Sequence, residues 1–121
     1  MPKIITVFRR KRGLSRQEFI DYYETRHVPL IESRFGRFFL DYRRSFLRDD
    51  GAERGGAADF DVVTEVWIKD EEALEQVLAA AAEPAAAAEI AADEERFIDR
   101  ASIRIYLTDE YPRTARPTAG G

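Results

Sequence analysis

The chain has 121 residues and a mass of 13.9 kDa, enough for one domain and a single core. Hydrophobic residues make up 45% and charged residues 35%, and 19 Lys/Arg against 23 Asp/Glu leave a net charge of −4. That balance excludes a generally basic nucleic-acid binder and a highly charged disordered chain. With no cysteine and one histidine, His27, disulfides, thiolate metal sites, cysteine nucleophiles and two-histidine mechanisms are excluded as well.

Lys3-Ile4-Ile5-Thr6-Val7-Phe8-Arg9 is rich in β-branched and aromatic residues and reads as a first strand. No signal-peptide pattern precedes it and no apolar run reaches ~18 residues, so a cytoplasmic protein with no membrane span is expected. The basic run Arg9–Arg12 lies in a turn before Gly13, without interleaved aromatics, and no nucleic-acid partner is expected. Ser15 followed by Glu18 has the form of a capping box and opens a helix. Phe19, Tyr22, Tyr23, Arg26 and Leu30 recur at helical spacing; Pro29 interrupts the pattern and predicts a kink near His27.

Arg37–Phe46 reads as a second strand, with Phe38, Leu40, Tyr42, Arg44 and Phe46 on one face and Phe39, Asp41, Arg43 and Ser45 on the other. The glycine-rich, charged stretch 49–58 reads as a mobile loop. Phe60–Ile68 is a third strand with Val62, Thr64, Val66 and Ile68 opposite Asp61, Val63, Glu65 and Trp67. Asp70-Glu71-Glu72 starts a helix whose dipole favours acidic residues there. It continues into a tract with ten alanines in residues 79–92, and Pro84 splits the tract into two helices. Ser102–Leu107 is a fourth strand, and residues 112–121 are expected to be a disordered tail on a domain spanning 1–111.

This order predicts an α+β, ferredoxin-like β-α-β-β-α-β fold with a four-stranded antiparallel sheet. Helices cover one face. The other carries Trp67 and further aromatics and calls for a partner, most simply a second copy in a homodimer whose two sheets form an α/β barrel.

The stretch Gly13-Leu14-Ser15-Arg16-Gln17-Glu18-Phe19, Tyr22-Tyr23 and His27-Val28-Pro29-Leu30 resembles the EthD family of the dimeric α/β-barrel superfamily. Asp61-x-x-x-Glu65-x-Trp67 and Asp93-Glu94-Glu95-x-Phe97-Ile98-Asp99 agree with it. The resemblance spans residues 3–110 and implies the same fold and dimer. Some such proteins are associated with ether degradation; others are small tailoring enzymes of aromatic polyketide pathways, and the superfamily includes monooxygenases with and without haem. Fold analogy does not choose among these.

Three residues are candidates for catalysis. His27 exchanges a proton near neutrality, its unperturbed pKa being ~6.5, and a carbonyl freed at the kink would hold its tautomer. Tyr23 lies one turn earlier on the same side. Glu65, beside the Trp67 indole and facing into the barrel, would be a desolvated general acid, unless paired with Arg44 or Arg104. Tyr42, Arg44, Arg104 and Tyr106 form a polar set for substrate, the arginines offering forked donors to a carboxylate or enolate oxygen, and Phe8 and Trp67 are pocket wall or dimer interface. The expected activity is a cofactor-independent lyase or cyclase acting by acid/base chemistry on a small hydrophobic, aromatic or polyketide-like ligand: loss of water, loss of carbon dioxide or ring closure. No metal is expected. The alternatives are a non-catalytic dimeric ligand-binding or accessory protein, whose pocket groups would all be satisfied internally, and a dimeric α/β-barrel monooxygenase.

Overall fold

The computed structural model describes residues 1–50 and 54–114. The expected tail past Thr114 and the centre of the glycine-rich loop lie outside the described residues. Strand β1 (Pro2–Arg10) leads through Gly13 into helix α1 (Arg16–Tyr22). The capping box is formed in both directions, with Ser15 Oγ accepting from the Glu18 N–H at 3.1 Å and Glu18 Oε1 accepting from the Ser15 N–H at 3.0 Å. Such a cap stabilises a helix start by about 1 kcal/mol.

The expected kink takes the form of a π-turn over Tyr23–His27, closed by the Val28 N–H on the Tyr23 carbonyl, before helix α2 (Val28–Phe35). Pro29 supplies the cause: it has no N–H, and in a continuous α-helix its ring would press on the Thr25 carbonyl. The wider turn has a second effect. Phe19, Tyr23, His27, Ile31 and Phe35 face inward at a strict spacing of four. In a straight α-helix each such step advances about 40°, so five positions would sweep about 160° and leave the sheet. The π-turn absorbs part of that drift and keeps His27 in the inward stripe.

A 3₁₀ turn (Gly36–Phe38) leads into β2 (Phe39–Phe46). The simple alternation read for this strand fails at its start. Phe39 pairs with Ile68 and Asp41 with Trp67, leaving Leu40 as an extra residue. The bulge brings Phe39 onto the Tyr42 side, ring centroids 5.7 Å apart, and turns Leu40 out to solvent. Strand β3 (Val62–Ile68) follows, then α3 (Glu71–Ala82), α4 (Pro84–Glu94) and β4 (Ile98–Asp109), which starts four residues before the expected Ser102. The alanine tract breaks at Glu83–Pro84 as read, and the Glu83 carboxylate caps α4 through the Ala85 and Ala86 N–H groups.

The sheet is antiparallel in the order β2-β3-β1-β4, a ferredoxin-like α+β fold. The helices pack on the face bearing Phe8, Tyr42, Val62, Thr64, Val66 and Ile68. Phe97, fully buried, ties the layers together, with ring centroids 6.1 Å from Phe8, 5.8 Å from Phe19, 5.4 Å from Tyr23 and 5.0 Å from His27. The opposite face bears Lys3, Ile5, Val7, Arg43, Val63, Glu65, Trp67, Arg104 and Tyr106, placed there by the register and the period of two. No helix among the described residues is long and apolar enough to cross a membrane.

Candidate active site

The π-turn delivers His27 to a cavity of about 160 Å³ between the helices and the sheet, walled by Phe8, Ile31, Val66, Ile90, Ile103 and Ile105. Tyr23, Tyr42, Thr64 and Glu94 also line it. The imidazole is buried. Its Nδ1 lies 2.8 Å from Asp93 Oδ2, near the end of α4, and the other Asp93 oxygen accepts from the Tyr22 hydroxyl at 2.6 Å. An ionised carboxylate only accepts, so Nδ1 donates, and in the neutral ring Nε2 bears the lone pair. Nε2 has no hydrogen-bond partner among the described residues, and it is not sealed in packing, because no buried polar side-chain atom lacks a partner. Asp93, rather than a carbonyl freed at the kink, therefore holds the tautomer. Burial and the Asp93 carboxylate push the Tyr22 phenol up to about 12, so it remains a donor.

The cavity floor is a row of hydroxyls. Tyr23 Oη lies 2.5 Å from Thr64 Oγ1, and Tyr42 donates to Tyr23 at 3.5 Å. Burial raises the pKa of both phenols; Tyr23 raises that of Tyr42 further, whereas the hydrogen bonds with Thr64 and Tyr42 oppose the rise at Tyr23. They stay protonated and can donate to a substrate oxygen, but they do not supply a base. Arg44, opposite Thr64 in the sheet register, has both forks on Glu24 (3.0 and 2.9 Å), so its charge is already matched. Its partner is thus a helical carboxylate rather than a cross-strand acid.

Glu65 is not in this group. It points from the other side of the sheet and pairs with Lys3, which also donates to Glu110 at 2.6 Å and lies 4.3 Å from the Trp67 ring centre. Burial opposes the Lys3 charge, but Glu110 and Glu65 outweigh it and its pKa is raised. Glu65 therefore shares no cavity with His27, because strand alternation sends it and Thr64 to opposite faces. Arg104 and Tyr106 are on that face too, in a depression of about 460 Å³ with Val7, Arg9 and Ser102. The polar set read as one is thus split: Tyr42 in the cavity with the histidine and Arg44 on the same side of the sheet, Arg104 and Tyr106 behind the sheet with Trp67. Phe8 lies on the helix face and is cavity wall. Asp93, Glu94 and Thr64 are not among the site residues expected from the sequence; the signal for the two carboxylates is the acidic run before Phe97, and that for Thr64 is its place on the Val62–Ile68 face of β3.

Residues 11–101 match the family model of the EthD domain. The chain belongs to the EthD family. An EthD family protein from Bacillus halodurans C-125 has a similar structure, with a TM-score of 0.64 and 21% identity over 92% of this chain and 99% of that one. HapK from Hahella chejuensis gives 0.62 at 12% identity over 98% and 100%. A dimeric protein of unknown function and ferredoxin-like fold from Bacteroides fragilis gives 0.57 at 8% identity over 90% and 95%. These likenesses share the EthD chain's fold. No curated protein matches the sequence.

Proposed function

We propose that this EthD protein is a cofactor-independent acid/base enzyme of the lyase or cyclase type. It removes a proton next to the carbonyl of a small, ring-sized substrate of aromatic or polyketide-like character. One observation carries the reading: an imidazole oriented by a half-buried carboxylate, its second nitrogen unpartnered among the described residues, lines an apolar cavity floored by hydroxyls. His27 Nε2 takes the proton, Asp93 stabilises the resulting imidazolium, and Tyr42, giving up its long 3.5 Å bond to Tyr23, donates to the enolate oxygen. A pocket used only for binding would have its polar groups satisfied internally; the hydroxyls meet that description and Nε2 does not.

The cavity volume argues for the size of the substrate. About 160 Å³ is close to the roughly 150 Å³ that accepts one benzene ring. A porphyrin is far larger, so these residues do not fit a haem. The face behind the sheet, with Ile5, Val7, Trp67 and Tyr106, is the surface through which two copies associate, a reading supported by the dimeric relative of the same fold.

The test is exchange. Wild-type protein in deuterium oxide is expected to speed deuterium entry beside the carbonyl of cyclohexanone, followed by proton NMR. His27→Gln is expected to abolish the gain. Equal exchange by the variant would remove His27 as the base.

A further inference from the structure

Two neighbouring carboxylates at the end of α4 have opposite surroundings. Asp93 accepts hydrogen bonds from His27 Nδ1 and the Tyr22 hydroxyl and does not line the cavity. Glu94 lines the cavity, in company with Ile90, Ile103 and Ile105 at the end away from the hydroxyl row. Its side chain is 19% exposed, and its one ion pair among the described residues is with Arg100 Nε at 3.3 Å, a guanidinium that also reaches toward Glu95 at 3.5 Å. Consecutive residues on a helix point about 100° apart, which is how one turn serves both the histidine and the cavity.

We propose that Glu94 is the general acid of the reaction and that the reaction is a β-elimination, in practice loss of water from a β-hydroxy ketone. This rests on His27 being the base. The placement of groups assigns the three reacting positions. The carbonyl oxygen lies on the Tyr23–Tyr42 side, the acidic C–H faces His27 Nε2, and the departing hydroxyl lies toward Glu94. Nε2 takes the proton, the C–H electron pair becomes the carbon–carbon double bond, and the C–O bond breaks. The departing oxygen takes the Glu94 proton and leaves as water. An enone and water are formed, and the imidazolium proton returns to the Glu94 carboxylate through solvent. Burial raises the Glu94 pKa, opposed by Arg100 on β4 and His27 on the π-turn and aided by the Asp93 charge.

The experiment compares two leaving groups of similar size. β-Hydroxycyclohexanone and β-fluorocyclohexanone both give cyclohexenone, followed by its ultraviolet absorbance. Hydroxide must be protonated to leave and fluoride need not be. Glu94→Gln keeps the size and the hydrogen-bonding reach toward Arg100. It is expected to slow elimination of water by about 10²–10⁴-fold and of fluoride far less. Equal losses on both substrates, or no loss on the hydroxy ketone, overturn the proposal for Glu94 while leaving His27 as base. A wild-type protein that eliminates neither group yet exchanges cyclohexanone protons also overturns it. No exchange and no elimination by the wild type would sink the base reading, and this proposal with it.

Discussion

Asp93→Asn is the sharpest test of how the histidine is held. The carboxylate, with its side chain 15% exposed, accepts from His27 at 2.8 Å and Tyr22 at 2.6 Å. An amide has one accepting oxygen and one donating nitrogen. The oxygen can serve Tyr22 or His27, but not both in the present geometry. If the amide nitrogen turns toward His27, it donates to Nδ1, the ring proton moves to Nε2, and the cavity loses its base. A hydrogen bond to a charged group contributes about 1.5–3 kcal/mol, so the variant should lose about 2 kcal/mol of stability, roughly 5–10 °C in melting temperature. Loss of the correct tautomer should lower elimination from β-hydroxycyclohexanone by about 10²–10⁴-fold, or about 3–5 kcal/mol of barrier. Because the chain has a single histidine, selective nitrogen-15 labelling yields one pair of ring signals and reads the tautomer directly. A variant that keeps the proton on Nδ1 and turns over undiminished would refute the reasoning.

Two further expectations concern the other carboxylate and the open sheet. The Glu94 pKa is raised on folding, so its contribution is fully present below the unfolded pKa and is lost as pH rises through the folded one. Glu94→Gln should therefore be more stable than wild type at neutral pH, and the advantage should vanish in acid; urea titrations at several pH values would show this, and a constant difference would contradict it. Ile5→Glu puts a carboxylate in the face assigned to the homodimer, at a cost of about 3 kcal/mol or more if it is buried unpaired. Sedimentation should then show dimer association weakened by at least about a hundredfold, and an unchanged dimer would move the interface elsewhere.

Much of the frame could be read from local patterns. Ser15 and Glu18 marked a helix start, Pro84 a helix break, and the alternation Val62-Thr64-Val66-Ile68 a half-buried strand, because each signal acts within a few residues. The site was less legible. His27 was identified, but its carboxylate lies 66 residues away, and nothing local selects Asp93 from 23 acidic residues. Glu65 and Trp67 lie on the face away from the helices, as the alternation of β3 implies; what a strand pattern does not say is that His27, carried by a helix, lines a cavity on the covered side instead. The Leu40 bulge likewise depends on pairing with β3, which a single strand does not encode. Pro29 announced a distortion; only the packing of Phe19, Tyr23 and Ile31 around it decided that the outcome was a widened turn.

The alanines of α4 acquire a different meaning once the end of that helix is considered. They offer little bulk, and only Ala86 among its alanines is deeply buried, so individual replacements on the outer surface should matter little. Their number is another affair. From the proline that sets its origin to the acidic pair at its finish, the helix works as a measuring rod. One alanine more or fewer would swing that pair about 100° and shift it about 1.5 Å along the axis. Such a change would disarm the cavity while leaving every reactive group in the polypeptide, so tract length is the heritable quantity to watch there.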